Sequence, residues 1–193
     1  MPVTNPFKFD RAAIVGNAPS LLKHKHGERI DNDERVFRFN QFEIGGYGEH
    51  TGRKTTDHVC AYYDATGRPE YNIFCPLPLN QLEWYDLSLK YYDGKHDWHQ
   101  AIKDDAICQP WQLYQWLLHT HTHPSSGLAL LWWMYHVRPQ RLHGVSVYGF
   151  NCFEPDKNGN YHYWEQNSNG GHDGDAEKLL IGQLITEGGG TWI

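Results

Sequence analysis

Short apolar runs that stop on glycine or a side-chain amide constrain this chain more than any other feature. Ala12-Ala-Ile-Val15 is apolar throughout and closes on Gly16-Asn17. Four such residues cannot form the one-sided stripe of a surface helix, so they read as a buried strand entering a turn. Val36-Phe-Arg-Phe39 alternates and ends at Asn40-Gln41, and Gly144-Val-Ser-Val-Tyr-Gly149 is another buried run ending in glycine. His58-Val-Cys-Ala-Tyr62 and Asn72-Ile-Phe-Cys75 read as further strands.

Between these runs the spacing becomes helical. Pro19-Ser20 opens a short helical stretch, and residues 80–92, 110–118 and 175–187 carry apolar positions at helical intervals. Pro124-Ser125-Ser126-Gly127 precedes an almost wholly apolar run over residues 128–137, where serine is a good N-cap. Buried strands alternating with helices predict an α/β protein with a mainly parallel sheet. Ligands of such sheets sit at the carboxyl ends of strands, which here carry Gly16-Asn17, Asn40-Gln41 and Gly149-Phe150.

A chain of 193 residues suits a single domain over residues 1–193 with a real core. Its net charge of −6 argues against a nucleic-acid partner, though a local donor cluster can still hold a small anion. Cys60, Cys75, Cys108 and Cys152 are scattered without a Cys-x-x-Cys pair, as expected of reduced, mostly buried thiols in a cytoplasmic protein. No stretch reaches the roughly 20 apolar residues of a membrane span, and the amino terminus has no signal-peptide apolar region. No integral membrane segment is therefore expected, which leaves peripheral membrane association open.

Four constellations carry possible chemistry. Gly16-Asn17-Ala-Pro-Ser20 is a strand–turn–helix junction where a phosphate or ribose can approach backbone N–H groups, or simply a tight turn. It lacks both the dinucleotide glycine spacing and the Gly-Lys-Ser/Thr of a P-loop. Ser125-Ser126-Gly127 is an anion site or plain capping, and the two are compatible. His119-Thr-His-Thr-His123 suggests zinc, but a polar loop before the helix is the reading preferred for it. His162 and His172 lie ten residues apart, and Asp173, Asp175 and Glu177 follow. That spacing matches neither His-Glu-x-x-His nor an EF-hand loop, while either histidine could serve as a base near neutrality.

Taken in order, four segments resemble the motif set of sialyltransferases. Ile14-Val-Gly-Asn-Ala-Pro-Ser20 with Val36-Phe-Arg-Phe-Asn-Gln41 resembles the ends of the large motif. His123-Pro-Ser-Ser-Gly-Leu-Ala-Leu-Leu131 through Val145-Ser-Val-Tyr-Gly-Phe150 resembles the small motif. His162-Tyr-Trp-Glu165 resembles the third, and His172-Asp-Gly-Asp-Ala-Glu177 the very small motif. The set is similar to glycosyltransferase family 29, with features that also resemble the bacterial family 42.

The resemblance implies a Rossmann-like α/β/α sandwich of the GT-A-variant type. It implies inverting transfer of sialic acid from the nucleotide-sugar donor CMP-sialic acid to a glycan acceptor, with no metal or other cofactor. Asn17 and Asn40 should then contact the nucleotide, Ser125, Ser126 and Gly127 should cradle it, and Gly149 should leave room beside it. His162 should hydrogen-bond the departing phosphate and His172 should be the base. Asp173 or Asp175 should cap the last helix, with Glu177 in its first turn.

Departures from the pattern narrow the setting. Ala12 stands where the animal-type large motif has a cysteine, and His136-Val-Arg-Pro has none, so the family disulfide is absent. A bacterial cytoplasm is expected on that ground. Acceptor and linkage stay open, because the middle region is short. Three alternatives also stay open: a CMP-Kdo-type donor, a non-catalytic nucleotide- or sugar-binding relative, and a metal-dependent hydrolase.

Overall fold

The computed structural model describes residues 5–60, 71–76, 107–121, 123–164 and 171–193. Seven strands form one sheet: β1 (Ala12–Val15), β2 (Arg35–Phe39), β3 (Asp57–Val59), β4 (Asn72–Cys75), β5 (Ile107–Cys108), β6 (Val145–Tyr148) and β7 (Thr191–Trp192). Their order is β5-β4-β3-β2-β1-β6-β7, and every pairing is parallel. From β1 the chain builds outward through β5 on one side, then returns to place β6 against the other flank of β1. The strand order thus reverses between β1 and β6, the place where open α/β sheets bind ligands.

Period-two alternation divides β1 between two cores. Ala12 and Ile14 join Phe37, Phe39, Val59 and Phe74 on one face, and Ala13 and Val15 join Leu21, Ile30, Val36, Tyr148 and Tyr163 on the other. The first face is covered by α3 (Trp111–Thr120), α4 (Ser126–Val137) and α5 (Gly174–Gly188). The second is covered by the 3-10 turn Pro19–Lys23 and the short helix α1 (Gly27–Asp31). A further short helix, α2 (Gly48–Thr51), packs on α1 and on that 3-10 turn. This is an α/β/α sandwich, and double coverage explains why β1 could be apolar at every position.

The predicted elements appear with small shifts. The 110–118 helix is α3, which Pro110 precedes in extended backbone, and the 175–187 helix gains a residue at each end as α5. The predicted strand from His58 is β3, and Ala61, Tyr62 and the predicted 80–92 helix lie outside the described residues. The two-residue strands β5 and β7 were not predicted, being too short to carry a period. Among the described residues no helix is long and apolar enough to cross a membrane.

Candidate active site

The switch point is built by residues that have no room for a side chain. Gly16 N–H donates to the Tyr148 carbonyl at 2.8 Å, and Ala18 N–H to the Gly149 carbonyl at 3.2 Å. A Cβ on Gly16 would fall 2.4 Å from the Gly149 oxygen and 2.7 Å from the Phe150 ring. On the other side of that ring's contacts, a Cβ on Gly127 would fall 2.4 Å from it. Phe150 therefore packs against both the turn after β1 and the first turn of α4, drawing the helix start to the switch point. Gly149 has φ of +65°, and its missing side chain leaves space that Leu21 fills, 2.5 Å from an imagined Cβ.

Asn17 ties β1 to β2. Its side-chain N–H groups donate to the carbonyls of Phe39 and Gln41, each at 3.1 Å. Two carbonyl acceptors demand the amide nitrogen, so Oδ1 is the atom Asn17 can offer a ligand. Asn40 lies between those two carbonyls with φ of 48°, a left-handed conformation that asparagine tolerates. Its N–H donates to Val59, and its carbonyl accepts from the buried His58 ring at 2.7 Å.

Ser125 is the N-cap of α4, its hydroxyl accepting from Leu128 N–H at 3.2 Å. The same hydroxyl donates to Glu177 Oε2 at 2.7 Å, while Ser125 N–H donates to Glu177 Oε1 at 2.6 Å. Ser126 and Gly127 form the first turn of the helix. Glu177 is 1% exposed, and burial pushes its carboxyl up to about 7 against the opposing pull of the two Ser125 bonds. Its first-turn placement was expected, its burial against Ser125 was not. A signal existed: Glu177, Ile181, Leu184, Ile185 and Gly188 make one helical stripe, and all are buried.

The histidine tract is the expected polar loop only in part: His119 and His123 are exposed and the chain leaves the helix before His121, but His121 itself is buried. α3 runs to Thr120, and His121 is 5% exposed with its N–H donating to Leu117, because the apolar face of α3 carries the chain inward. His121 Nε2 lies 3.6 Å from Glu177 Oε1, too far for a hydrogen bond. Burial lowers His121 and raises Glu177, so this is a contact that favours two neutral groups over an ion pair.

His172 Nδ1 lies 3.0 Å from the His123 carbonyl, which can only accept, so Nδ1 carries the proton and Nε2 the lone pair. The ring stacks on His123 and on Phe153, each with centroids 4.7 Å apart. Burial is the main cause that lowers its pKa, with the His123 and His121 rings adding to it and the His123 carbonyl opposing. Of the two candidate caps for α5, Asp173 takes the role, accepting from Ala176 N–H at 3.0 Å, and Asp175 is exposed. Among the described residues no three His, Cys, Asp or Glu side chains converge to hold a metal.

His162 is reached through its neighbour. Tyr163 N–H donates to the Asn17 carbonyl at 3.1 Å, its hydroxyl donates to Glu43, and its ring is buried. His162 stacks on Trp164 at 4.9 Å and 15°. The third motif is thereby fastened to the turn after β1, and the very small motif to the start of α4. Tyr163 stood in the third motif without an assigned role, and Phe153 is a structural contributor that no local pattern singled out. The segment 165–170 between the two histidines lies outside the described residues.

A sequence model described as glycosyltransferase family 29 (sialyltransferase) matches residues 3–72 and 105–189. The chain is similar to sialyltransferase-like protein 2 of Arabidopsis thaliana, 41% identical over 59 residues, which are 29% of this chain and 13% of that protein. It is also similar to the Homo sapiens CMP-N-acetylneuraminate-beta-1,4-galactoside alpha-2,3-sialyltransferase, 33% identical over 92 residues, 47% of this chain and 24% of that one. These alignments span a quarter or less of the relatives' own lengths. A crystal structure of a mammalian sialyltransferase superposes with a TM-score of 0.68 at 24% identity, covering 96% of this chain and 69% of that one. The sialyltransferase CstII from Campylobacter jejuni, in a complex with cytidine-5'-monophosphate, gives 0.56 at 17% identity, covering 96% and 80%. At those identities the two structures establish the shared fold.

Proposed function

This chain belongs to glycosyltransferase family 29, the sialyltransferases, and on that premise we propose that it moves sialic acid from CMP-sialic acid to a sugar hydroxyl with inversion at the anomeric carbon. The observation that carries the proposal is the His172 Nδ1 contact to the His123 carbonyl at 3.0 Å, beside the capped start of α4. It leaves a lone pair on Nε2 of a histidine whose surroundings favour the neutral form.

In the proposed reaction, Nε2 of His172 takes the proton of the acceptor hydroxyl as its oxygen attacks the anomeric carbon. The bond from that carbon to the CMP phosphate oxygen breaks, and CMP leaves with the electron pair. Charge grows on the phosphate, where α4 supplies donors. Ser125 N–H is engaged by Glu177 and Leu128 N–H by the Ser125 hydroxyl. Ser126 and Gly127 N–H are then the donors that the helix can present, reinforced by its dipole. His162, protonated, donates to the same phosphate. Asn17 Oδ1 and Asn40 contact the cytidine. We assign no metal to this scheme, and place it in a reducing compartment, which suits the buried Cys152 thiol.

The test is transfer from CMP-sialic acid to a panel of galactosides, with and without EDTA. CMP release should resist the chelator and fall by roughly a hundredfold or more in His172→Ala while CMP still binds. Full transfer by His172→Ala would remove the base assignment, and loss of transfer with EDTA would remove the metal-free scheme.

A further inference from the structure

The loop after β6 holds a strained pair that the reaction scheme leaves unused. Cys152 and Phe153 are consecutive non-glycine residues with φ of 52° and 62°. In that region Cβ crowds the following carbonyl, and such backbone persists only where its surroundings hold it. The surroundings here are the start of α5. A Cβ on Gly174 would fall 2.2 Å from the Cys152 carbonyl, so glycine lets the loop press against the helix, and the Cys152 side chain is buried. The two left-handed residues throw the Phe153 ring onto His172, with centroids 4.7 Å apart and planes within 23°.

His172 thus has three constraints: stacking on His123, the Nδ1 bond to the His123 carbonyl, and stacking on Phe153. The first two come from the approach to α4, the third from a loop on the opposite side in sequence. We propose that Phe153 is a positioning residue for His172, its ring, held out by the left-handed Cys152–Phe153 pair, keeping the imidazole oriented and shielded from water with Nε2 as the proton acceptor. This rests on the reading of His172 as the base.

Titratable groups on the elements packed around His172 are His121 and His123 before α4, Asp173 and Glu177 at the start of α5, and Cys152 and Glu154 in the loop. Glu154 is engaged by Lys178 at 2.8 Å. Burial is the largest influence on His172, and it lowers the pKa. Phe153 supplies part of that burial, so its loss lets water in and brings the group back up.

The experiment uses the full chain with Phe153→Leu and Phe153→Tyr, and follows His172 by NMR titration, with His172→Gln assigning the signal. Phe153→Leu should raise the His172 midpoint and the acid limb of kcat/KM together by about half a pH unit, with CMP affinity within about twofold of wild type. Phe153→Tyr, which keeps the stacked ring, should restore both to wild type. An unmoved midpoint in Phe153→Leu overturns the proposal whatever the activity does, as does a Phe153→Tyr midpoint displaced like that of leucine. A midpoint that moves while activity shows no His172 limb supports the positioning role and overturns His172 as the base. Should Phe153→Leu fail to fold, the ring-current shift of the His172 Cε1 proton in the wild-type protein decides. An upfield shift that changes in Phe153→Trp supports the stack, and a random-coil value overturns it.

Discussion

Glu177 and Ser125, 52 residues apart in the chain, are joined by two hydrogen bonds, from the Ser125 N–H to Oε1 at 2.6 Å and from its hydroxyl to Oε2 at 2.7 Å. One carboxyl group thereby fastens the first turn of α5 to the cap of α4. His172 and Asp173 sit at the head of α5, so the same clasp holds the candidate base beside the helix that would face the phosphate.

The clasp has a pH signature. Glu177 has an ordinary pKa of 4.5 and is pushed up to about 7 in the fold, chiefly by burial. Between those values the folded protein keeps a proton that the unfolded chain has released. Stability contributed by that proton is complete below about pH 4.5 and declines through about pH 7, by on the order of 3 kcal/mol. Denaturation midpoints across this window should fall less steeply in Glu177→Gln than in wild type. Parallel curves would show that Glu177 does not titrate there.

Activity should carry a different limb. His172 must be neutral to accept a proton, and its pKa is lowered from the ordinary value of 6.5. The acid limb of kcat/KM should therefore lie below pH 6.5, with activity lost as pH falls through it. A pH–rate profile checks this, and an acid limb above 6.5 would contradict the buried setting of the ring.

Asn17 should tolerate neither of its nearest replacements. Alanine removes the donors to the part-buried Phe39 carbonyl and to the exposed Gln41 carbonyl, which water can still reach, costing about 1–2 kcal/mol. Aspartate at neutral pH puts an acceptor against those acceptors and should cost more, with partial recovery in acid once it is protonated. Melting temperatures ranked wild type, Asn17→Ala, Asn17→Asp at pH 7 would bear this out, and the reverse order of the two variants would refute it.

Gly16→Ala should destabilise by about 1–3 kcal/mol, because its Cβ would meet the Gly149 backbone oxygen at 2.4 Å with no rotamer to relieve it. Gly127→Ala meets the Phe150 ring, which can turn, and should cost less while displacing the start of α4 and weakening CMP binding. Chemical denaturation and CMP titration read the two effects. A Gly16→Ala protein of wild-type stability would contradict the close approach of β1 and β6.

The legible parts of the chain were those governed by near neighbours. β1, β2 and β6 followed from short apolar runs, and the capped start of α4 from serine before an apolar stretch. Glu177 was half legible, since its helical stripe marked the face but not the partner. Phe153 was illegible, because its role comes from a left-handed backbone and a ring met through space. The histidine tract was legible at His119 and His123, which are exposed, and misled at His121, which the end of α3 turns inward.

By itself, then, the amino-acid order determined the strands, the glycine-ended turns, the helix cap and the motif set, because each depends on side-chain period and local sterics over a few residues. Only the tertiary structure decided that Asn17 flanks Asn40, that Ser125 meets Glu177, and that Phe150 joins Gly16 to Gly127. Those meetings depend on parallel crossovers that set β1 between β2 and β6, and on close packing that brings side chains distant in the chain within reach of a hydrogen bond.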